Sequence, residues 1–152
     1  MPSAPIVFVD ANVLVCADDA SEARRQPLAA AWLDALWSRH AGRLSTQVLD
    51  EFYVIATCKI GQPLSQGDAR AKVRRYQLWQ PWQIDHQTVE TAWRVEARYG
   101  LHYWDALIAA AAMHSGASVL LTEDLQHDRM LDALRIINPF QMAATELFTD
   151  EA

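Results

Sequence analysis

The sequence predicts an α/β fold in which a short parallel sheet lies between two layers of helices. Two continuous apolar runs, residues 6–9 and 118–121, have the length and aliphatic content of strands buried on both faces. Segments with helical periodicity separate these runs, and no hairpin dipeptide such as Asn-Gly is present. Strands that alternate with helices favour parallel pairing, which gives a three-layer α/β/α architecture.

Asp10 follows the first apolar run directly and precedes a predicted helix over Ala11–Ala17. Open α/β sheets bind ligands beyond the carboxyl ends of their strands, which is the position that Asp10 would take. Asp is also a common helix cap, and for a single acid this structural role is the more frequent one. The interpretation of Asp10 therefore depends on whether other acids join it.

Apolar periodicity predicts the next three elements. Residues 22–40 form an amphipathic helix whose inner stripe is Leu28, Ala31, Trp32, Ala35 and Leu36. Residues 43–46 form a short strand, and residues 47–60 form a helix that ends before Gly61 and Pro63.

The second half of the chain continues this alternation. Helices are predicted over residues 66–78 and 86–99, with a turn and a brief strand between them. The helix that starts near residue 101 is apolar all round, which is typical of a buried helix. After the apolar run 118–121, we expect a loop with a short helix over residues 125–134, a last strand over residues 134–138, and a short terminal helix.

Length and composition indicate one domain spanning residues 1–152. The chain has 51% hydrophobic residues and six Trp, enough to fill a core at this size. Cys16 and Cys58 lie in apolar helical patterns without CxxC spacing, so we expect both to be buried and reduced. No stretch has the length of a membrane span, and the first residues lack the pattern of a signal peptide. A cytoplasmic location without membrane contact is therefore expected.

The net charge of −6 argues against broad electrostatic wrapping of nucleic acid. It does not exclude a local basic patch, and one such cluster lies on the helix predicted over residues 66–78. This cluster is most simply a solvated helix face, but it is also a candidate for phosphate contacts. Its candidate RNA-binding residues are Arg70, Arg74 and Arg75.

Three further acids are predicted to lie near Asp10. Asp124 follows the second apolar run, as Asp10 follows the first, while Glu51 and Asp105 lie in the first turns of helices. Each alone fits an acid that complements a helix dipole or caps a helix. Four such acids at one sheet edge would repel one another unless a cation lay between them. Mg²⁺ and Mn²⁺ prefer these oxygen ligands, and Asn12 and Thr122 are candidates to orient the carboxylates.

The segments that carry these acids resemble a known family. They are Val9-Asp10-Ala11-Asn12, the helix with Glu51-Phe52-Tyr53, the run that begins Tyr103-Trp104-Asp105-Ala106, and Leu121-Thr122-Glu123-Asp124-Leu125. Together, over about residues 6–140, they resemble the PIN-domain ribonucleases, in particular the VapC-like toxins of type II toxin-antitoxin pairs.

The resemblance implies an endoribonuclease that requires Mg²⁺ or Mn²⁺, forms a homodimer and is inhibited by a cognate antitoxin protein. It assigns the catalytic and metal-binding roles to Asp10, Glu51, Asp105 and Asp124, with Asn12 and Thr122 as polar supports. Glu123 and Asp128 are neighbouring acids that leave the register of the fourth position open. RNA would approach through the basic cluster, and a basic antitoxin segment would compete for the acidic pocket.

Two alternatives remain open. One is a PIN-like module that binds RNA or a protein partner without cutting. The other is a phosphatase of the haloacid dehalogenase type, which also has an acid after its first strand; Asn12 stands where that family has a second Asp. No P-loop, GxGxxG motif or catalytic triad pattern occurs in the sequence.

Overall fold

A computed structural model describes residues 4–149, and these residues form a five-stranded sheet with seven α-helices. The strands are β1 Val7–Val9, β2 Gly42–Arg43, β3 Val119–Leu121, β4 Met130–Leu131 and β5 Leu134–Ile137. The helices are α1 Ala11–Ala17, α2 Gln26–Arg39, α3 Thr46–Cys58, α4 Gln66–Arg75, α5 His86–Tyr99, α6 Tyr103–His114 and α7 Ala144–Leu147. A 3₁₀ turn, Tyr76–Trp79, follows α4.

The sheet has the order β2-β1-β3-β5-β4 and is parallel except for β4, which pairs antiparallel with β5. In register, Val7 faces Gly42 on one side and Val119 on the other. The parallel strands are connected through helices, as the alternating pattern predicts. The predicted three-layer α/β/α architecture is confirmed.

The central strands and α6 form the middle of the core. All three residues of β1 are fully buried, as are Leu120 and Leu121 of β3. Helix α6 is buried along seven consecutive residues from Ala106 onward, as its uniformly apolar sequence predicts. The small alanine side chains let α6 pack closely, and its main helical partner is α5. No described helix is long and apolar enough to cross a membrane.

The inner face of α2 differs from the predicted stripe. Its buried residues are Ala29, Trp32, Leu33 and Leu36, while Leu28 is 43% exposed. The helix starts at Gln26, later than predicted, with Pro27 in its first turn. The alanine-rich sequence offers several stripes of similar hydrophobicity, so contacts with the rest of the fold decide which one is buried.

A β-hairpin replaces the helix predicted over residues 125–134. Strands β4 and β5 are joined by Asp132 and Ala133, with Asp132 in the left-handed region at a φ of 53°. Tertiary contacts hold this turn, because the Tyr99 hydroxyl donates to Asp132 Oδ1 at 2.6 Å and accepts the Asp132 N–H at 2.7 Å. The predicted short helix was therefore wrong, and so was the expectation of purely parallel pairing for this segment.

The two cysteines lie in different environments. Cys16 is buried in α1, as predicted, and burial raises the pKa of its thiol. Cys58, the last residue of α3, is exposed, so the prediction for it was wrong. The buried apolar residues of α3 end two positions earlier, at Ala56, which leaves the helix end in solvent.

Candidate active site

Asp10 lies at the carboxyl end of β1 and caps α1. Its Oδ1 accepts the Ala11 N–H at 2.7 Å, and its Oδ2 accepts the Thr122 hydroxyl at 2.9 Å. The residue is only 6% exposed. Burial raises the pKa of this carboxyl from 3.8 to about 7; the two hydrogen bonds oppose the rise, and the negative charges of Asp124 and Glu51 add to it. Asp10 therefore caps α1 and also lies at the edge of the sheet.

Asn12 and Thr122 connect Asp10 to Asp124. The Asn12 amide nitrogen, Nδ2, donates to Thr122 Oγ1 at 3.1 Å and to Asp124 Oδ2 at 3.0 Å, and lies 3.4 Å from Asp10 Oδ2. The fully buried Thr122 also accepts the Asp124 N–H at 3.1 Å. Its single hydroxyl proton points to Asp10, so its two other contacts are accepted hydrogen bonds. One neutral amide thus bridges the ends of β1 and β3.

Glu51 approaches the same edge from α3. Ser45 caps that helix through the Val48 N–H at 3.3 Å, and Glu51 follows at the end of its second turn. Gln47, one turn earlier, donates its Nε2 to Glu51 Oε1 at 2.9 Å. Burial raises the pKa of Glu51; the Gln47 hydrogen bond opposes this, and Asp105, Asp124 and Asp50 add to it. The carboxylate of Glu51 is therefore half-buried and has a fixed neutral donor.

Asp105 lies in the first turn of α6 but does not cap it, because His102 is the N-cap residue. Asp105 is therefore not a helix cap. Burial raises the pKa of the Asp105 carboxyl, the charge of Asp124 raises it further, and His102 lowers it. Asp105 and Asp124 therefore interact across the edge of the sheet.

The structure brings all four predicted acids into mutual electrostatic contact. Asp10 interacts with Glu51 and Asp124, and Glu51 interacts with Asp105. Within residues 4–149, no Lys or Arg forms an ion pair with any of the four. Among the same residues, no group of three His, Cys, Asp or Glu side chains has an arrangement that could hold a metal ion. The Asn12 amide, which donates to Asp124 and lies 3.4 Å from Asp10 Oδ2, offsets part of this repulsion.

Comparison with known proteins identifies the family. The sequence matches the PIN domain over residues 7–132, which is most of the chain. The chain belongs to the PIN domain family. Among solved structures, it is similar to VapC20 of Mycobacterium tuberculosis, a toxin that cleaves the sarcin-ricin loop, with a TM-score of 0.55 and 19% sequence identity. The match covers 75% of this chain and 86% of VapC20. No curated protein matches the sequence.

The two other acids near the end of β3 have basic partners. Glu123 forms an ion pair with Arg25, whose guanidinium also lies 4.0 Å from the centre of the Phe140 ring. Asp128 is exposed and accepts two hydrogen bonds from Arg135, at 2.7 and 2.9 Å, which lower the pKa of its carboxyl. In this segment of the PIN domain, Asp124 is therefore the acid that hydrogen-bonds Asn12 and interacts electrostatically with the three other carboxylates.

The basic residues of α4 do not form one patch. Arg70 and Arg74 line a groove of about 380 Å³ against α3, where Arg70 Nε donates to the Tyr53 hydroxyl at 3.2 Å. Arg75 instead lies over the Trp37 ring, at 4.5 Å from its centre. Residues four apart share a helix face, whereas a separation of five places Arg75 about 140° away from Arg70. Only Arg70 and Arg74 therefore line the groove between α3 and α4 of the PIN domain.

The tryptophans around Pro81 pack within the protein. Trp79 is 6% exposed and lies 4.9 Å from both the Trp37 and the Tyr76 rings, measured between centres. Trp82 donates its Nε1–H to Thr88 Oγ1 at 2.9 Å. Both indoles therefore contribute to the packing of the fold. Trp32 is likewise buried in the core.

Sequence reasoning missed three residues that adjoin these acids. Gln47 hydrogen-bonds Glu51, Arg25 neutralises Glu123, and Trp104 is 63% exposed beside Asp105. Gln47 carries a usable signal, because it precedes Glu51 by one helical turn. Arg25 lies far from Glu123 in sequence, and its contact depends on the tertiary fold.

Proposed function

We propose that this PIN domain is an endoribonuclease that hydrolyses RNA phosphodiester bonds with the help of Mg²⁺ or Mn²⁺. The observation that carries the proposal is the meeting of four carboxylates, from four separate elements, at the carboxyl edge of the sheet. None of them forms an ion pair with a Lys or Arg among the described residues. Membership of the PIN family and the likeness to a VapC toxin support the same activity.

The chemistry of the donor set fits a hard divalent cation. Asp10, Glu51, Asp105 and Asp124 offer only oxygen ligands, which Mg²⁺ and Mn²⁺ prefer. Burial is the main cause of the raised pKa values of Asp10, Glu51 and Asp105, and neighbouring carboxylates add to it; a bound cation would favour the charged form of each acid. When bound, the metal would stabilise charge on the phosphodiester and supply an activated water.

The neutral side chains would position the carboxylates. Thr122 holds Asp10 through a hydroxyl hydrogen bond, and Gln47 holds Glu51 through its amide. Such outer contacts fix the direction in which a carboxylate oxygen points. When a cation neutralises these carboxylates, the Asn12 amide would release Asp124 or Asp10. The Asn12 Oδ1, which is buried without a hydrogen-bond partner in the described structure, would then gain a partner.

We further propose that the protein is the toxin of a toxin-antitoxin pair and acts in the cytoplasm. A basic antitoxin segment would neutralise the four carboxylates in place of the metal, because arginine forms bidentate contacts with carboxylates. The likeness to VapC20, which is a toxin, supports this role. We also propose a homodimer, as the resemblance to the family implies. Measurement of the solution mass, alone and after co-expression with a small basic partner encoded beside it, tests both parts.

The activity is tested by incubating a mixed RNA pool with purified protein in Mg²⁺, in Mn²⁺ and in EDTA. We expect cleavage with either metal, none in EDTA, and none with Asp10→Asn, which keeps the side-chain shape but removes the charge. Asp34→Asn is the matched control, because Asp34 is exposed on α2 and lines neither groove beside the four acids. Equal cleavage by wild type and Asp10→Asn would contradict the proposal.

A module that binds RNA without cutting is the second candidate. It is favoured by the Asn12 amide, which already bridges Asp10 and Asp124. It is also favoured because no side chains within residues 4–149 are arranged to hold a metal ion. Calorimetric titration with Mn²⁺ separates the two candidates. Binding that is lost in Asp10→Asn supports the nuclease, whereas RNA binding without metal binding supports the module.

A further inference from the structure

Trp104 is an exposed aromatic side chain placed next to the acidic cluster. It is 63% exposed, whereas Trp32 and Trp79 are 1% and 6% exposed. It precedes Asp105 in the first turn of α6, and the Tyr103 ring packs edge-on against it at 5.2 Å between centres. Exposure of so large an apolar surface is costly unless a ligand covers it. Its position on a buried, rigid helix keeps the indole close to the carboxylates.

The indole forms one wall of a groove of about 560 Å³ that reaches Glu51. Ile84 and Leu107 add apolar surface, and Gln47 adds a carboxamide. The Gln47 Nε2 is committed to Glu51 at 2.9 Å, while its Oε1 is buried with no hydrogen-bond partner in the described structure. Because this oxygen is buried, a ligand in the groove would meet the aromatic and apolar surface and not this acceptor. The groove therefore combines a flat aromatic wall with apolar surface beside Glu51.

We propose that this groove binds an unpaired nucleobase of the RNA substrate, stacked on Trp104, beside the phosphate to be cleaved. The inference rests on the proposed ribonuclease function and specifies the form of its substrate. Bases in single strands and loops expose their faces for stacking on aromatic side chains, whereas paired bases in a helix do not. The enzyme would therefore select RNA in which the base beside the cut is unpaired.

Charge explains why a base, and not the RNA backbone, fits this groove. Asp50 and Glu51 both line it, so a phosphate placed there would be repelled. A nucleobase is uncharged, and its flat face matches the exposed indole of Trp104. The neighbouring groove between α3 and α4 shares Asp50 but contains Arg70 and Arg74, which suit phosphates. Base and backbone would thus follow separate grooves along α3.

The test measures binding of fluorescently labelled single-stranded RNA by anisotropy, in Ca²⁺ without Mg²⁺. We expect Trp104→Ala to weaken binding by about 5- to 150-fold, which corresponds to the loss of one stacked base. Trp104→Phe, which keeps an aromatic face, should restore most of the affinity. Trp93→Ala is the matched control, because Trp93 is 48% exposed on α5 but does not line the groove. Thermal unfolding of each variant verifies that it is folded.

Abasic oligonucleotides make the test specific. One abasic position should weaken binding to the wild type as much as Trp104→Ala does, and should cause no further loss in Trp104→Ala. Unchanged binding by Trp104→Ala, or equal losses at every abasic position, would overturn the inference. A change in solution mass on Trp104→Ala without any change in RNA binding would also overturn it and would assign the groove to a second copy of the chain.

The two proposals fail separately. If RNA binds in a Trp104-dependent way but Mg²⁺ produces no cleavage, the base site stands and the nuclease proposal falls. If Trp104→Ala cleaves single-stranded RNA as fast as the wild type, the nuclease proposal stands and the base site falls.

Discussion

Among the four acids of the site, Asp10 is the one whose ionisation costs the most free energy in the folded state. Its carboxyl has a pKa of about 7 in the fold and an ordinary value of 3.8. Between these values the folded state holds a proton that the unfolded chain has lost, so the free energy of unfolding falls as the pH rises across this window. The full shift corresponds to about 4 kcal/mol, reached once the pH exceeds 7.

The first prediction concerns this pH dependence. Asp10→Asn has no charge to bury, so its stability should decrease less than that of the wild type between about pH 5 and about pH 8. Denaturant unfolding at both pH values measures the difference. Asp34→Asn, at an exposed position on α2 away from the four acids, should follow the wild type. Parallel pH profiles for wild type and Asp10→Asn would show that Asp10 does not titrate in this range.

A second prediction concerns Mg²⁺ at the same residue. A cation that neutralises the carboxylates offsets the cost of their charge, so Mg²⁺ should raise the melting temperature of the wild type at about pH 8. The increase should be small at about pH 5, where Asp10 is protonated, and should be absent in Asp10→Asn. An equal increase in the variant would place the ion elsewhere on the protein.

Thr122 provides a third prediction at the residue scale. Thr122→Val keeps the shape but removes the hydroxyl that donates to Asp10 and accepts from Asn12. Loss of such a supporting group should reduce metal affinity or cleavage by about 10- to 100-fold. Thr122→Ser retains the hydroxyl and should keep most of the activity. A fully active Thr122→Val would show that Asp10 does not need this orientation.

At the scale of elements, the close contact between β2 and the 3₁₀ turn is the most sensitive to substitution. A Cβ atom on Gly42 would lie 2.4 Å from the Trp79 ring, which is fixed by Trp37 and Tyr76. We expect Gly42→Ala to destabilise the fold by about 1–3 kcal/mol in urea unfolding, because the ring has to move. Gly67→Ala, in α4 with open space around it, should be neutral or stabilise by up to about 1 kcal/mol. Equal stability of the two variants would contradict the close packing of β2.

The elements also show where sequence reasoning succeeds. Strands β1 and β3 are continuous apolar runs followed by acids, so their positions and the convergence of Asp10 and Asp124 follow from pattern alone. The hairpin of β4 and β5 has no local signal, because Tyr99 from α5 holds its turn. Likewise, nothing local distinguishes the exposed Trp104 from the buried Trp32. Properties that depend on distant partners were the ones missed.

At the scale of the whole molecule, charge is separated into an acidic edge and small basic areas. The net charge is −6, yet Arg70 and Arg74 share one groove while Arg75 faces Trp37. RNA binding should therefore depend on which pair of basic residues is changed, and not on the total charge.

The last prediction compares two charge reversals of equal size. Arg70→Glu with Arg74→Glu should weaken RNA binding and lower the slope of log affinity against log salt by about 1.4, for two lost phosphate contacts. Lys72→Glu with Arg75→Glu changes the net charge equally but acts on the other face, where Lys72 pairs with Asp18 at 2.9 Å. The second pair should leave the slope nearly unchanged. Equal effects of both pairs would indicate non-specific attraction.

The Asn12 amide has a consequence for how the protein matures in the cell. Because its Nδ2 already joins Asp10, Thr122 and Asp124, the acidic edge can assemble during synthesis without waiting for a cation. Under the proposed function, folding would therefore precede metal binding, and the cation would be needed for cleavage but not for assembly of the site.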